Sequence, residues 1–120
     1  MSQDDCAYQF VDLPYFAALD PRVAVAGQLA PEHMALLRSA GFASVINNRP
    51  DGEGGPHQPS SAQMQQAAAS AGLHYVHQPV VSTHMTSEDV QRFHEHLALL
   101  PKPVLAFCRS GARCMRLFQG

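Results

Sequence analysis

Residues 108 to 113 read CRSGAR, set between the apolar run VLAF and the ending CMRLFQG. A strand that closes on a cysteine, followed by a polar loop and then a helix, has a definite chemistry open to it. Successive backbone N–H groups of such a loop turn inward and form a nest for an anion. Gly111 permits backbone conformations that a side chain would forbid. The loop amides and the positive helix end both favour thiolate over thiol at Cys108. Arg113 adds a planar fork able to grip an oxyanion at two points. Cys108 is therefore the candidate nucleophile for negatively charged substrates, with Arg109, Ser110, Gly111 and Ala112 as the nest and Arg113 as the anion-binding group. A free cysteine is most often a small buried hydrophobe. The ordered succession of strand, Cys, Gly, Arg and helix is what argues for catalysis here.

Other residues are candidates by position. Arg49, Asp51 and Glu53 stand in the stretch RPDGE; Asp51 is also a natural turn former in Pro-Asp-Gly, and Arg49 can simply pair with either carboxylate. His84 lies in a later polar loop and could move a proton near neutral pH. Glu88 and Asp89 open a helix, where carboxylates commonly offset the dipole. Cys114 is either a small residue of the first helical turn or an accessory, resolving thiol. Cys6 has no evident role.

The elements that must position these groups are legible in outline. VAVA at 23–26 is a short apolar strand. PEHMALLRSAG follows as a helix with Pro31 in its first turn, Met34 and Leu37 on one face and Gly41 as its stop. FASVINN is a buried strand, and DGEGGPHQPSS a long glycine- and proline-rich loop. Ser60 or Ser61 caps a second helix that Gly72 stops, and LHYVHQPVV is a third strand. Thr86 or Ser87 caps a third helix with the stripe Val90, Phe93, Leu97, Leu100; Pro101 and Pro103 end it before VLAF. Helices alternating with strands predict a three-layer α/β fold around a mostly parallel sheet. Ligands bind such sheets beyond the strands' carboxyl ends. The loops 49–59, 79–86 and 108–113 all fall there, and their convergence predicts the site.

Length and composition set bounds. A chain of 120 residues with 46% hydrophobic and 15% charged residues fits one globular domain, residues 1–120. A net charge of −2 and the lack of a basic stripe argue against nucleic acid. No apolar run approaches a membrane span and no signal-peptide layout opens the chain, so a cytoplasmic protein is expected. Three cysteines without framework spacing fit a reducing compartment. The scattered histidines and the lack of a C-x-x-C pair predict neither metal nor cofactor.

Two resemblances refine the reading. Protein tyrosine and dual-specificity phosphatases carry a similar loop with one residue more between cysteine and arginine. The pattern Cys-x-x-Gly-x-Arg instead looks like the loop of single-domain rhodaneses, which hold a persulfide on the cysteine. More widely, AGQLAPEHMALLRSAGFASVINNRPDGE, HQPSSAQMQQAAASAGLHYVHQPV and PVLAFCRSGAR, over residues 23–116, resemble the bacterial β-lactamase-hydrolase-like, phosphatase-like domain family. That resemblance implies a fold of the protein-tyrosine-phosphatase type, in its dual-specificity form. It assigns Cys108 as nucleophile, Arg113 as substrate-binding arginine and 49–53 as a loop near the pocket. Cys114 departs from the family, which usually has serine or threonine there. Some members accompany a persulfide dioxygenase and are regarded as sulfurtransferases, while others are labelled phosphatases. The short loop and the lack of an obvious acid point to sulfur transfer from thiosulfate or a glutathione persulfide to a thiol acceptor. A cysteine-dependent phosphatase and a sulfur-carrying partner module of a persulfide dioxygenase are the alternatives.

Overall fold

A computed structural model describes residues 6–120. Five strands form one sheet: β1 (Ala17–Asp20), β2 (Val23–Ala26), β3 (Ser44–Asn47), β4 (His74–His77) and β5 (Val104–Phe107), in the order β1-β2-β5-β3-β4. The four strands β2 to β5 are parallel. β1 is the exception; it pairs antiparallel with β2 and carries an irregularity between Ala18 and Asp20. The sequence reading began its elements at Val23 and missed β1. A four-residue edge strand beside a tight turn has too little alternation to register.

The helices are α1 (His33–Ser39), α2 (Ser61–Ser70), α3 (Ser87–Leu99) and α4 (Ala112–Gln119), with a short 3-10 turn at Ser82–His84. Among the described residues, no helix is long and apolar enough to cross a membrane. Ser60 is the cap of α2 and exchanges hydrogen bonds with Gln63 in a capping box. Thr86 and Asp89 do the same for α3. α1 starts at His33, two residues after Pro31, and His33 Nδ1 accepts the Ala30 N–H at 2.9 Å.

The alternation of the central strands makes the layers. In VAVA, Ala24 and Ala26 face one core while Val23 and Val25 face the other; in VLAF, Leu105 and Phe107 join the first and Val104 and Ala106 the second. The first core takes Met34 and Leu37 from α1 with Met64 and Ala68 from α2. The second takes Phe93 and Leu97 from α3 with Leu117 from α4. Strands covered on both faces read as continuous apolar runs, which is why β2, β3 and β5 are buried throughout. Because β2, β3 and β5 run parallel, the segments that follow Ala26, Asn47 and Phe107 emerge together at one edge of the sheet.

Candidate active site

Cys108 follows β5 directly and is only 1% exposed, at the floor of a cavity of about 300 Å³. The turn above it depends on Gly111, whose φ of +86° is a left-handed conformation that L side chains rarely adopt. That turn sends the Gly111 N–H onto Cys108 Sγ at 3.1 Å and starts α4. Gly27, just past β2, allows the loop to sit close, since a Cβ there would lie 3.0 Å from the Arg109 carbonyl and 2.8 Å from the Tyr15 ring. The Gln28 N–H then donates to that same carbonyl at 3.2 Å.

The Cys108 thiol is depressed to about 5 in this setting. The largest cause is a hydrogen bond from the Cys114 thiol, and the backbone N–H groups of Cys114, Ser110 and Arg113 add to it against the cost of burial. Cys114 moves the other way. Burial, the bond it gives to Cys108 and the charge on Cys108 raise it well above an ordinary thiol, so it keeps its proton. The two shifts are opposite in sign and favour an ionised Cys108 beside a protonated Cys114. Asn48 Oδ1, 3.2 Å away, is a second acceptor for the Cys114 thiol, whose single proton serves one acceptor at a time.

Arg113 is buried and tied to its surroundings. Its Nη1 donates to the carbonyls of Val80 at 2.9 Å and Asn48 at 3.4 Å, and its Nη2 donates to Glu53 Oε1 at 3.1 Å. Its Nε is buried without a partner among the described residues. Glu53 also accepts from Arg49 Nε at 2.8 Å. Burial would push the Glu53 carboxyl up, but hydrogen bonds from Arg113 and Arg49 outweigh it and hold the group below its ordinary value.

A second cavity of about 420 Å³ adjoins the first; Ser82, Arg109 and Arg113 line both, and Arg49, Glu53 and Gly54 line the second alone. The three predicted loops therefore meet, each contributing at least one side chain. Not every candidate arrives. Asp51 lines neither cavity, and its carboxylate accepts the Ser61 N–H at the start of α2, at 2.7 Å. His84 is exposed, bonded to Thr83 and outside both cavities. Cys6 is exposed, with Sγ 3.2 Å from the Tyr8 carbonyl. Three residues of the site escaped the sequence reading. Arg116 lines the first cavity and stands three positions after Arg113, a helical spacing that was readable. Ser82 and Asn48 lie within named segments, but nothing local marks them.

The match to known proteins agrees with this architecture. A beta-lactamase hydrolase-like protein of Xylella fastidiosa is 38% identical over 100 residues, which is 83% of this chain and 23% of that protein. The corresponding protein of Agrobacterium fabrum is 37% identical over the same shares. The chain thus spans about a quarter of the length of these relatives. Among solved structures, a candidate phosphatase from Neisseria meningitidis superposes with a TM-score of 0.79 at 34% identity, covering 84% of this chain and 71% of that one. The catalytic core of the PP-IP phosphatase SIW14 from S. cerevisiae shares the fold, with a TM-score of 0.66 at 13% identity, covering 86% and 60%. P. aeruginosa TpbA does so at 0.63 and 16%, covering 92% and 63%. Residues 15–119 match the family described as beta-lactamase hydrolase-like protein, phosphatase-like domain, and the chain belongs to that family.

Proposed function

We propose that this chain acts as one cysteine-loop domain hydrolysing small phosphate monoesters through a phospho-Cys108 intermediate. The observation that carries the reading is the pairing of a depressed Cys108 thiol with the buried, unpartnered Nε of Arg113 beside the same cavity. A phosphoryl oxygen would satisfy that donor, and the loop amides would hold the others. The Cys108 thiolate attacks phosphorus, the P–O ester bond breaks, and the alkoxide leaves with a proton taken from water. Water then attacks phosphorus, the P–S bond breaks, and phosphate and the thiolate are released. The family and the fold neighbours described as phosphatases support this choice over the sulfur transfer expected from loop length. A free thiolate also calls for a reducing compartment.

Sulfur transfer remains a second reading because of one observation: Glu53, the carboxylate lining the cleft, is already engaged, as are Asp51 and Asp89, and Glu88 lines neither cavity. Glu53 is held ionised between two arginines, Asp51 binds the Ser61 N–H, and Asp89 closes the capping box of α3. None stands ready to protonate a leaving oxygen, and thiolate leaving groups need no acid. In that reaction Cys108 would take the outer sulfur of thiosulfate or a persulfide, and a thiol acceptor would collect it.

Intact mass spectrometry without reductant separates the two. Incubation with an aryl phosphate should add one phosphoryl group, or release phenol with turnover, and Cys108→Ser should do neither. A gain of one sulfur after thiosulfate, lost in Cys108→Ser and with no phosphatase turnover, would replace the first reading with the second.

A further inference from the structure

The chain carries eight Lys and Arg residues and a net charge of −2, yet four of the eight line this one cleft: Arg49, Arg109, Arg113 and Arg116. The acidic groups lining it are the Cys108 thiolate and the Glu53 carboxylate, which leaves two positive charges in excess. Such a concentration in an acidic protein focuses field into the cleft and raises the local concentration of anions.

The four arginines are not equivalent. Arg113 is fixed by Val80, Asn48 and Glu53, and Arg49 by Glu53 and by Gln28 Oε1 at 3.1 Å. Arg116 gives one long hydrogen bond, 3.3 Å, to the Ser82 carbonyl. Arg109 is exposed, makes no side-chain hydrogen bond among the described residues, and stands on the wall shared by both cavities. One anionic group in the Cys108 loop uses the nest amides and Arg113. It leaves Arg109 without a counter-charge among the described residues, since Glu53 is engaged by Arg49 and Arg113.

We propose that the substrate carries two anionic groups joined by a short linker, the reacting one in the Cys108 loop and the second held by Arg109 in the adjoining cavity. Glu53, a carboxylate lining the same cavity, repels an anion placed beside it and so favours the second group next to Arg109. This deepens the reading above by naming a substrate class, and it rests on the loop being an anion site.

Calorimetric titration of the intact wild-type chain with non-hydrolysable probes tests it. Methylphosphonate carries one anionic group; methylenebisphosphonate and its two- and three-carbon homologues carry two phosphonates; phosphonoacetate carries a phosphonate and a carboxylate. At least one two-anion probe should bind tenfold or more tighter than methylphosphonate, and Arg109→Gln should reduce that gain to threefold or less. Arg22→Gln, which removes the same charge at the β1–β2 turn, should leave the gain in place. A gain under threefold with every two-anion probe would overturn the proposal. So would a gain that survives Arg109→Gln, or one that Arg22→Gln removes equally. If only phosphonoacetate shows the gain, the second group is a carboxylate; if only the bisphosphonates do, it is a phosphoryl group. Because binding alone is read, a retained gain in a protein that forms no phospho-Cys108 would sink the phosphatase reading and spare this one. Turnover of aryl phosphate with no gain would do the reverse.

Discussion

Arg113 and Glu53 meet at 3.1 Å across sixty residues of chain, so the cysteine loop and the RPDGE loop are locked to each other through one carboxylate. Glu53 shares that carboxylate with Arg49, and the three side chains form a single charged bridge along the second cavity.

The bridge gives Glu53 a pH signature. Its carboxyl is held below the ordinary value of 4.5, so the stabilisation it provides is fully present above that value and fades as pH falls through the lower folded value. Wild type should melt higher than Glu53→Gln near pH 6, and the difference should shrink below about pH 4.5. Thermal melts of both proteins from pH 3 to 7 measure it; a difference constant with pH would remove the ionised carboxylate from the account.

Alkylation of Cys108 by iodoacetamide should follow a titration with a midpoint near pH 5, read by mass spectrometry at that residue. Cys114→Ala removes the largest contribution to the depression and should move the midpoint upward. Cys114→Ser supplies a hydroxyl donor instead and should keep it low. Equal midpoints in all three proteins would show that the loop amides alone stabilise the thiolate.

Arg113→Lys keeps the charge but loses the planar fork. The substitution should lower kcat/KM for an aryl phosphate on the order of 100-fold. Steady-state kinetics on a variant with an unchanged melting temperature tests this, and activity within threefold of wild type would show that charge alone suffices at the position.

Asn48 is fully buried, with Nδ2 donating to the Gln78 carbonyl at 2.9 Å and Oδ1 3.2 Å from the Cys114 thiol. Truncation in Asn48→Ala leaves the buried Gln78 carbonyl without this donor, at a cost of about 1–3 kcal/mol. Urea unfolding should show the loss as a lower midpoint at unchanged slope. Cys108 alkylation in the same variant should also shift towards lower pH, because Asn48 Oδ1 would no longer compete for the single Cys114 thiol proton.

Much of this was present in the linear order. VAVA, SVIN and VLAF are short runs buried on both faces because the sheet is covered on both, and their alternation with helical segments is what made the three-layer fold legible. The capping choices for α2 and α3 were narrowed to adjacent residues, and Ser60 and Thr86 proved to be the caps because each finds a Gln or Asp three residues on. CRSGAR marked the loop since strand, glycine turn and helix are local events. What lay beyond local reach was the choice of partners. Asp51 and Glu53 stand two residues apart in one loop, yet only Glu53 turns to Arg113, while Asp51 turns to the start of α2. Cys114 could be packing or chemistry by its position in the first helical turn. Its place between Cys108 and Asn48, sixty-six residues away, makes it a protonated thiol beside an ionised one. Periodicity and turn chemistry act over a few residues and are written in the sequence itself. Charge pairing and proton sharing act between groups that only the closed sheet brings within about 3 Å, and those decided the site.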